Sequence, residues 1–255
     1  MKQANPASAI RIVKHPDQRR AELLDCAQQL FLAHGYDDTT VNDVIDKAGV
    51  SKGAFYHYFT SKEALLEALA ERFARQSIAL LGDILEAPSL DALSRMNAFL
   101  ERSRQLRRAS APMVRPMFGA IYRPENIVLF HRINTAVTGL MTPVLAQIIA
   151  QGVKEGIFHT PDPMGTAGMI LQLGVGAYGV IARALDATTE QEIEEAADTL
   201  ESLLELHGVA IERILGVPEG SLQVVEPGFA RAILMAPPKS RGRSGSLRSK
   251  RKKKT

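Results

Sequence analysis

The chain has one cysteine, Cys26, so no internal disulfide can form, and this fits a reducing cytoplasm rather than an oxidising compartment. Its six histidines (His15, His34, His57, His131, His159 and His207) are scattered, with no pair at the i, i+3 or i, i+4 spacing of metal ligands on a helix. No nucleophile is patterned with a base, so catalysis finds no support, and neither metal nor cofactor is expected. The N-terminus lacks the charged-then-apolar pattern of a secretory signal. Alternating strand patterns are missing as well, which leaves an all-α reading.

The overall charge is less informative than it looks. A formal net charge of +3 suggests a nucleic-acid partner, yet nine of the 31 Lys and Arg residues lie between Lys239 and Lys254, where there is no acid. Without those nine, 22 bases face 28 acids, so residues 1–238 carry about −6. Basicity therefore belongs to residues 239–255, a Ser, Gly, Arg and Lys tail expected to be disordered and either solubilising or attracted to DNA without sequence preference.

The stretch Pro163 to Ala182 has no charge over 20 residues, the length of a membrane span. It also holds five glycines, a Gln and a Thr, and it reads as a helix buried at a subunit interface, with no membrane partner. Within it, Gly174, Gly176 and Gly179 match the dinucleotide-binding glycine pattern. That pattern needs a preceding strand to aim the pyrophosphate at a helix N-terminus, and none is present; close helix packing explains the glycines better.

What is present is helical periodicity. Leu23, Ala27, Leu30 and Phe31 form one face of a helix that begins near Pro16, with Asp17 as expected N-cap and Gly35 at its end. Thr40 then caps a short helix with Val44 and Ile45 inward, Gly49 ends it, and Ser51 caps a second, running through Phe55 and Phe59. Ser61 opens a longer helix, expected from Lys62 to about Asp83, with Leu65, Leu69, Phe73 and Leu80 as its apolar stripe. Further helices are expected near 89–108, 112–122, 125–154, 163–186 and 189–215, separated at Pro, Gly and Asp-Pro breaks. The division is then a flexible arm (1–16), a three-helix head (17–75), a larger helical body (76–216), a loosely docked appendage (217–238) and the basic tail (239–255).

Two short capped helices joined at Gly49-Val50 are the parts of a helix-turn-helix. Between Ser51 and Lys62 the chain carries two lysines, a histidine and two tyrosines, with no acid to repel phosphates. Gly53 and Ala54 let the first turn of the second helix approach base edges closely. The run from Thr39 to Leu66, TTVNDVIDKAGVSKGAFYHYFTSKEALL, resembles the DNA-binding signature of the TetR family of regulators. With Ala27, Phe31 and Gly35-Tyr36 before it, the resemblance covers about residues 17–75.

The resemblance implies an N-terminal three-helix DNA-binding domain and a larger C-terminal helical domain that binds a small molecule and dimerises. It implies a repressor bound to a palindromic operator on double-stranded DNA and released by an effector, in a cytoplasmic, nucleoid-associated setting. By position it gives Thr40 and Tyr56 to phosphates and Asn42 to a base, although the family more often has arginine there. Ser51, Lys52, Gly53 and Ala54 fall on the entering end of the recognition helix. His57 is assigned to a base or phosphate, and Tyr58 and Lys62 to phosphates. Tyr58 has an alternative place in the core, and Asn42 and Lys62 alternatives as solvated surface.

In the body, Met113, Met117, Phe118, Tyr122, Phe130 and Met141, with Met169, Leu173 and Tyr178, can line an adaptable pocket or fill the core. An apolar or aromatic effector suits them. Arg102, Arg104, Arg107 and Arg108 form a basic cluster, read as a solvated face or as a contact for an acidic effector or a phosphate. The helices 163–186 and 189–215, with the stripe Leu200, Leu203, Leu204, His207, Ile211 and Ile214, are the expected homodimer surface. Two other readings remain: a nucleoid-type protein binding through its tail, and a helical enzyme or carrier.

Overall fold

Pro16 opens the first helix, α1 (Pro16–His34), at a position where its missing N–H costs no hydrogen bond. The computed structural model describes residues 15–234, the side chains of residues 113–116 excepted; the expected arm, the basic tail and the Met113 side chain lie outside the described residues. His15, not Asp17, is the N-cap of α1, and Asp17 instead places its charge in the first turn, where the helix dipole favours an anion. Two short helices follow, α2 (Val41–Ala48) and α3 (Lys52–Tyr58), and then α4 (Lys62–Ala79).

The expected continuation of α4 to Asp83 does not form. The chain turns at Leu80 and Leu81 and restarts as α5 (Gly82–Glu86), which leaves Leu80 exposed and buries Leu81 instead. In the opposite sense, the break expected near residue 110 is absent, and α6 (Ala92–Phe118) runs through Pro112 as one helix. A proline removes one ladder hydrogen bond and kinks a helix, but packing on both sides can hold the helix together. A 3₁₀ turn (Gly119–Tyr122) leads on to α7 (Ile127–Glu155).

The glycine-rich segment is two helices, α8 (Pro163–Leu173) and α9 (Tyr178–Asp186), joined by a 3₁₀ turn at Gly174–Ala177. Glycine's low helix propensity accounts for the break. The long α10 (Glu190–Leu215) starts on a capping box in which Glu192 accepts from Thr188 and Thr189 N–H, so its carboxyl pKa is held below the usual range. Among the described residues no strand occurs, and the fold is all-α.

One apolar cluster joins α1–α4 to the body: Phe31, Phe55 and Leu65 share it with Met117, Ile121 and Leu129. Ion pairs reinforce the junction. Arg132 of α7 pairs with Glu67 of α4, and Arg123 meets Asp37 at 2.8 Å, while within the head Arg72 of α4 reaches Asp25 of α1 at 2.7 Å.

The segment after α10 docks through specific contacts. Buried Glu212 accepts from Leu222 N–H at 2.8 Å, and Asn97 Nδ2 donates to the Ser221 carbonyl at 2.9 Å. The last helix, α11 (Phe229–Leu234), then buries Phe229, Ala230 and Leu234 against α6 and α10. Two stretches, Pro124–Glu155 and Pro163–Asp186, are long and apolar enough to cross a membrane, yet only 28% and 17% of their most apolar windows are buried within this chain. Their uncovered apolar surface includes Met164 and Met169 on α8.

Candidate DNA-binding site and ligand cavity

The helix-turn-helix is held by caps at both helix starts. Thr40 Oγ1 accepts from Asp43 N–H at 3.2 Å and donates to the Asp43 carboxylate at 2.7 Å, which also receives the Thr40 N–H at 2.7 Å. These bonds hold the Asp43 carboxyl below its usual pKa. Both Thr40 groups assigned to phosphate are thus engaged by Asp43, and an incoming phosphate has to displace that carboxylate. At the turn, Gly49 takes the left-handed conformation with φ 63°, which glycine adopts without the Cβ penalty. Ser51 Oγ caps α3 by accepting from Ala54 N–H at 3.2 Å.

Phe55 and Phe59 point into the core, with ring centroids 6.2 Å apart, and anchor α3 against α1 and α4. The opposite face is open. Asn42, Ser51, Lys52, Gly53, Tyr56 and His57 are exposed, and Ala54 is half-buried. Among the described residues, Asn42 and Lys52 have no side-chain hydrogen bond or ion pair. A Cβ built on Gly53 meets nothing within 4 Å. The fold therefore does not demand a glycine there, although glycine weakens a helix relative to alanine. Glycine leaves the first turn of α3 open to close approach by another molecule.

Two residues on this surface are more committed. Tyr58 is half-buried against the head core, its ring edge-on to His57 at 4.9 Å. Lys62 donates to the carbonyls of Tyr36 at 3.0 Å and Asp37 at 3.4 Å and lies 4.2 Å over the Tyr36 ring, leaving one ammonium N–H for a phosphate. Burial, then the adjacent Glu63 carboxylate, pushes the Tyr36 hydroxyl pKa well up.

In the body, a cavity of about 400 Å³ lies between α6, α9, α10 and α11. Of the nine expected pocket residues, Phe118 and Tyr122 line it. Met117 and Phe130 are buried in the cluster shared with the head, where Phe130 and Tyr178 pack at 4.5 Å between ring centroids. Met141 and Leu173 pack against a separate core, and Met169 is exposed. The cavity also takes Arg107 from the basic cluster, Ile181 from α9, Leu204 from α10, and Phe229 and Ile233 from α11. Sequence periodicity could not show that α11 folds back over α6. The expected dimer stripe divides too: Leu200 and Ile211 face the chain's own cores, while Leu206 is the exposed leucine of α10.

The profile described as "Bacterial regulatory proteins, tetR family" matches residues 23–69, and that described as "Tetracyclin repressor-like, C-terminal domain" matches residues 114–178. The HTH-type transcriptional repressor KstR2 of Rhodococcus jostii is 32% identical over 150 residues, covering 56% of this chain and 69% of that protein. The chain belongs to the TetR family. The HTH-type transcriptional repressor AcnR of Corynebacterium glutamicum is 25% identical over 197 residues, covering 73% of this chain and 92% of AcnR. The fold resembles that of RolR crystallised with resorcinol, with a TM-score of 0.54 at 22% identity, over 87% of this chain and 95% of RolR. As a TetR-family member the chain is a DNA-binding transcriptional regulator, not an enzyme. In this family member the head matched by the first profile holds the capped helices and the open face of α3.

Proposed function

We propose that this chain is a dimeric repressor in the cytoplasm that binds a palindromic operator through α3 and is released by a small molecule held in the α6–α11 cavity. The observation that carries the DNA-reading role is the open face of α3: Lys52, Gly53, Tyr56 and His57 are exposed on an acid-free helix whose other side is fixed by Phe55 and Phe59. Lys52 suits guanine O6 or N7, and Tyr56, His57 and Tyr58 suit phosphates or base edges. Residues 17–75 form the reading head and residues 76–216 the sensing and pairing body, with 217–234 as part of the cavity wall.

Pairing through α8, α9 and α10, around exposed Met169 and Leu206, covers apolar surface that one chain leaves open. A twofold dimer sets two recognition helices about one turn of DNA apart. The ligand acts by favouring one of two head spacings through its differential affinity. The mechanical links are α4 and the Arg123–Asp37 pair, because Arg123 follows cavity residue Tyr122 and Asp37 lends its carbonyl to Lys62.

Selection of bound sequences from random DNA tests this reading. A single near-palindromic site, retained against excess random competitor by one dimer, is expected. Uniform binding without a preferred sequence, lost on deletion of residues 236–255, points instead to a nucleoid-type protein.

A further inference from the structure

Three arginines of α6 lie near the segment that ends in α11, and two of them pair with it. Arg104 and Arg108 share one carboxylate, that of Glu226, at 3.1 and 3.0 Å. Arg108 also lies 5.3 Å from the centroid of the Phe229 ring. Arg107, between them, lines the cavity, and its side chain has no hydrogen bond or ion pair among the described residues. Arg107 is exposed, and no acid is among the cavity's lining residues. The guanidinium stays charged at any ordinary pH.

The second polar group is the Tyr122 hydroxyl, which likewise has no hydrogen-bond partner among the described residues. Tyr178, stacked on Tyr122 at 5.7 Å, spends its hydroxyl on the Arg123 carbonyl at 3.2 Å. Burial raises the Tyr122 pKa, with the Arg107 charge acting against that rise. The remaining walls are mostly apolar. A planar fork of charged donors and a hydroxyl on the wall of an otherwise apolar cavity match a carboxylate, which the fork can hold in two parallel hydrogen bonds.

We propose that this cavity takes a compact amphipathic carboxylic acid, with its carboxylate on Arg107 and the Tyr122 hydroxyl and its apolar body against Phe118, Ile181, Leu204 and Phe229. The proposal rests on the ligand-responsive reading above and narrows the apolar or aromatic effector to an anionic one. At about 400 Å³ the space lies near the lower end of small-molecule sites, roughly 300–1,000 Å³, which favours a single ring or a medium chain over a large conjugate. Glu226 pairs with both flanking arginines, which leaves Arg107 as the cavity-lining guanidinium without an ion-pair partner among the described residues.

Calorimetric titration of the full chain with matched probes tests this: 4-phenylbutyrate against 4-phenylbutan-1-ol, and octanoate against 1-octanol. At least one acid is expected to bind ten times or more tighter than its alcohol. R107M should remove that preference and leave alcohol binding unchanged. R102M, on the same helix but paired with Asp83 outside the cavity, should leave both unchanged. R107K guards against a folding defect; it keeps the charge without the fork and should fall between wild type and R107M. The proposal is overturned if no acid outbinds its alcohol, if R107M keeps the acid preference, or if resorcinol binds as tightly as the acids. Site-specific DNA binding by the same preparations separates the two claims. DNA binding without acid preference overturns the ligand class alone, and loss of DNA binding by wild type overturns the regulator reading.

Discussion

Gly53→Ala separates stability from DNA reading at one atom. Gly53 is the second residue of α3, and the added Cβ points into open space with no neighbour within 4 Å. Its backbone is not in the left-handed region, so alanine meets no strain there. The full helical advantage of alanine is about 0.5–1 kcal/mol, and the low end applies because the site lies in the first turn. The variant should therefore be about 0.5 kcal/mol more stable in urea unfolding. If α3 reads DNA as proposed, the methyl group stands where that helix enters the groove, and affinity for the selected site should fall about tenfold, or about 1.4 kcal/mol. Fluorescence anisotropy with labelled duplex measures the second effect. An alanine variant that binds DNA as tightly as wild type would refute the argument that close approach is what keeps this position small.

The remaining predictions concern the supports of the two sites. Glu226→Ala strands the guanidinium of Arg104, whose side chain is only 4% exposed, whereas Arg104→Met leaves Glu226 42% exposed and still paired with Arg108. Breaking a buried pair this way costs about 3–5 kcal/mol; the low end is expected for E226A because Arg104 keeps the Gln223 carbonyl, against about 1–2 kcal/mol for R104M. Urea titration at one protein concentration checks the order, and a larger loss in R104M would contradict it. Thr40→Ala removes the hydroxyl half of the α2 capping box and should cost about 1 kcal/mol, with T40S recovering most of it. Arg123→Gln breaks an ion pair whose partners are both 48% exposed, so thermal stability should change by less than about 1 kcal/mol. Release of DNA by the tightest-binding acid should nonetheless weaken several-fold in R123Q; unchanged release would remove Arg123–Asp37 from the coupling.

How far the sequence could be read depended on whether the deciding interaction was local. Thr40, Gly49 and Ser51 specify their caps and turn within three residues, so the helix-turn-helix was legible almost residue by residue. Phe55 and Phe59 likewise declared their inward face by spacing alone. Helix ends set by distant packing were not legible: Pro112 reads as a break yet lies inside α6, while Leu80, the expected end of an apolar stripe, sits on a turn. The cavity was the least accessible feature. Phe118 and Tyr122 were found by residue type, but Arg107 looked like one of several arginines on a solvated face. Its separate surroundings arise because the segment that ends in α11, more than 100 residues away, packs on α6 and gives Glu226 to Arg104 and Arg108. Leu200 and Ile211 fell on the expected pairing stripe but turn into their own chain, since a helical period reports an apolar face and not which partner covers it.

The central claim is that the open face of α3 reads DNA, and a K52A/Y56A/H57A variant tests it most directly. These side chains are exposed, so their removal should leave the fold intact, as circular dichroism and unfolding can verify. Three contacts of about 1 kcal/mol each correspond to a loss on the order of 100-fold in affinity for the selected site, measured by anisotropy at fixed salt. A folded triple variant that binds the site as tightly as wild type would contradict the account.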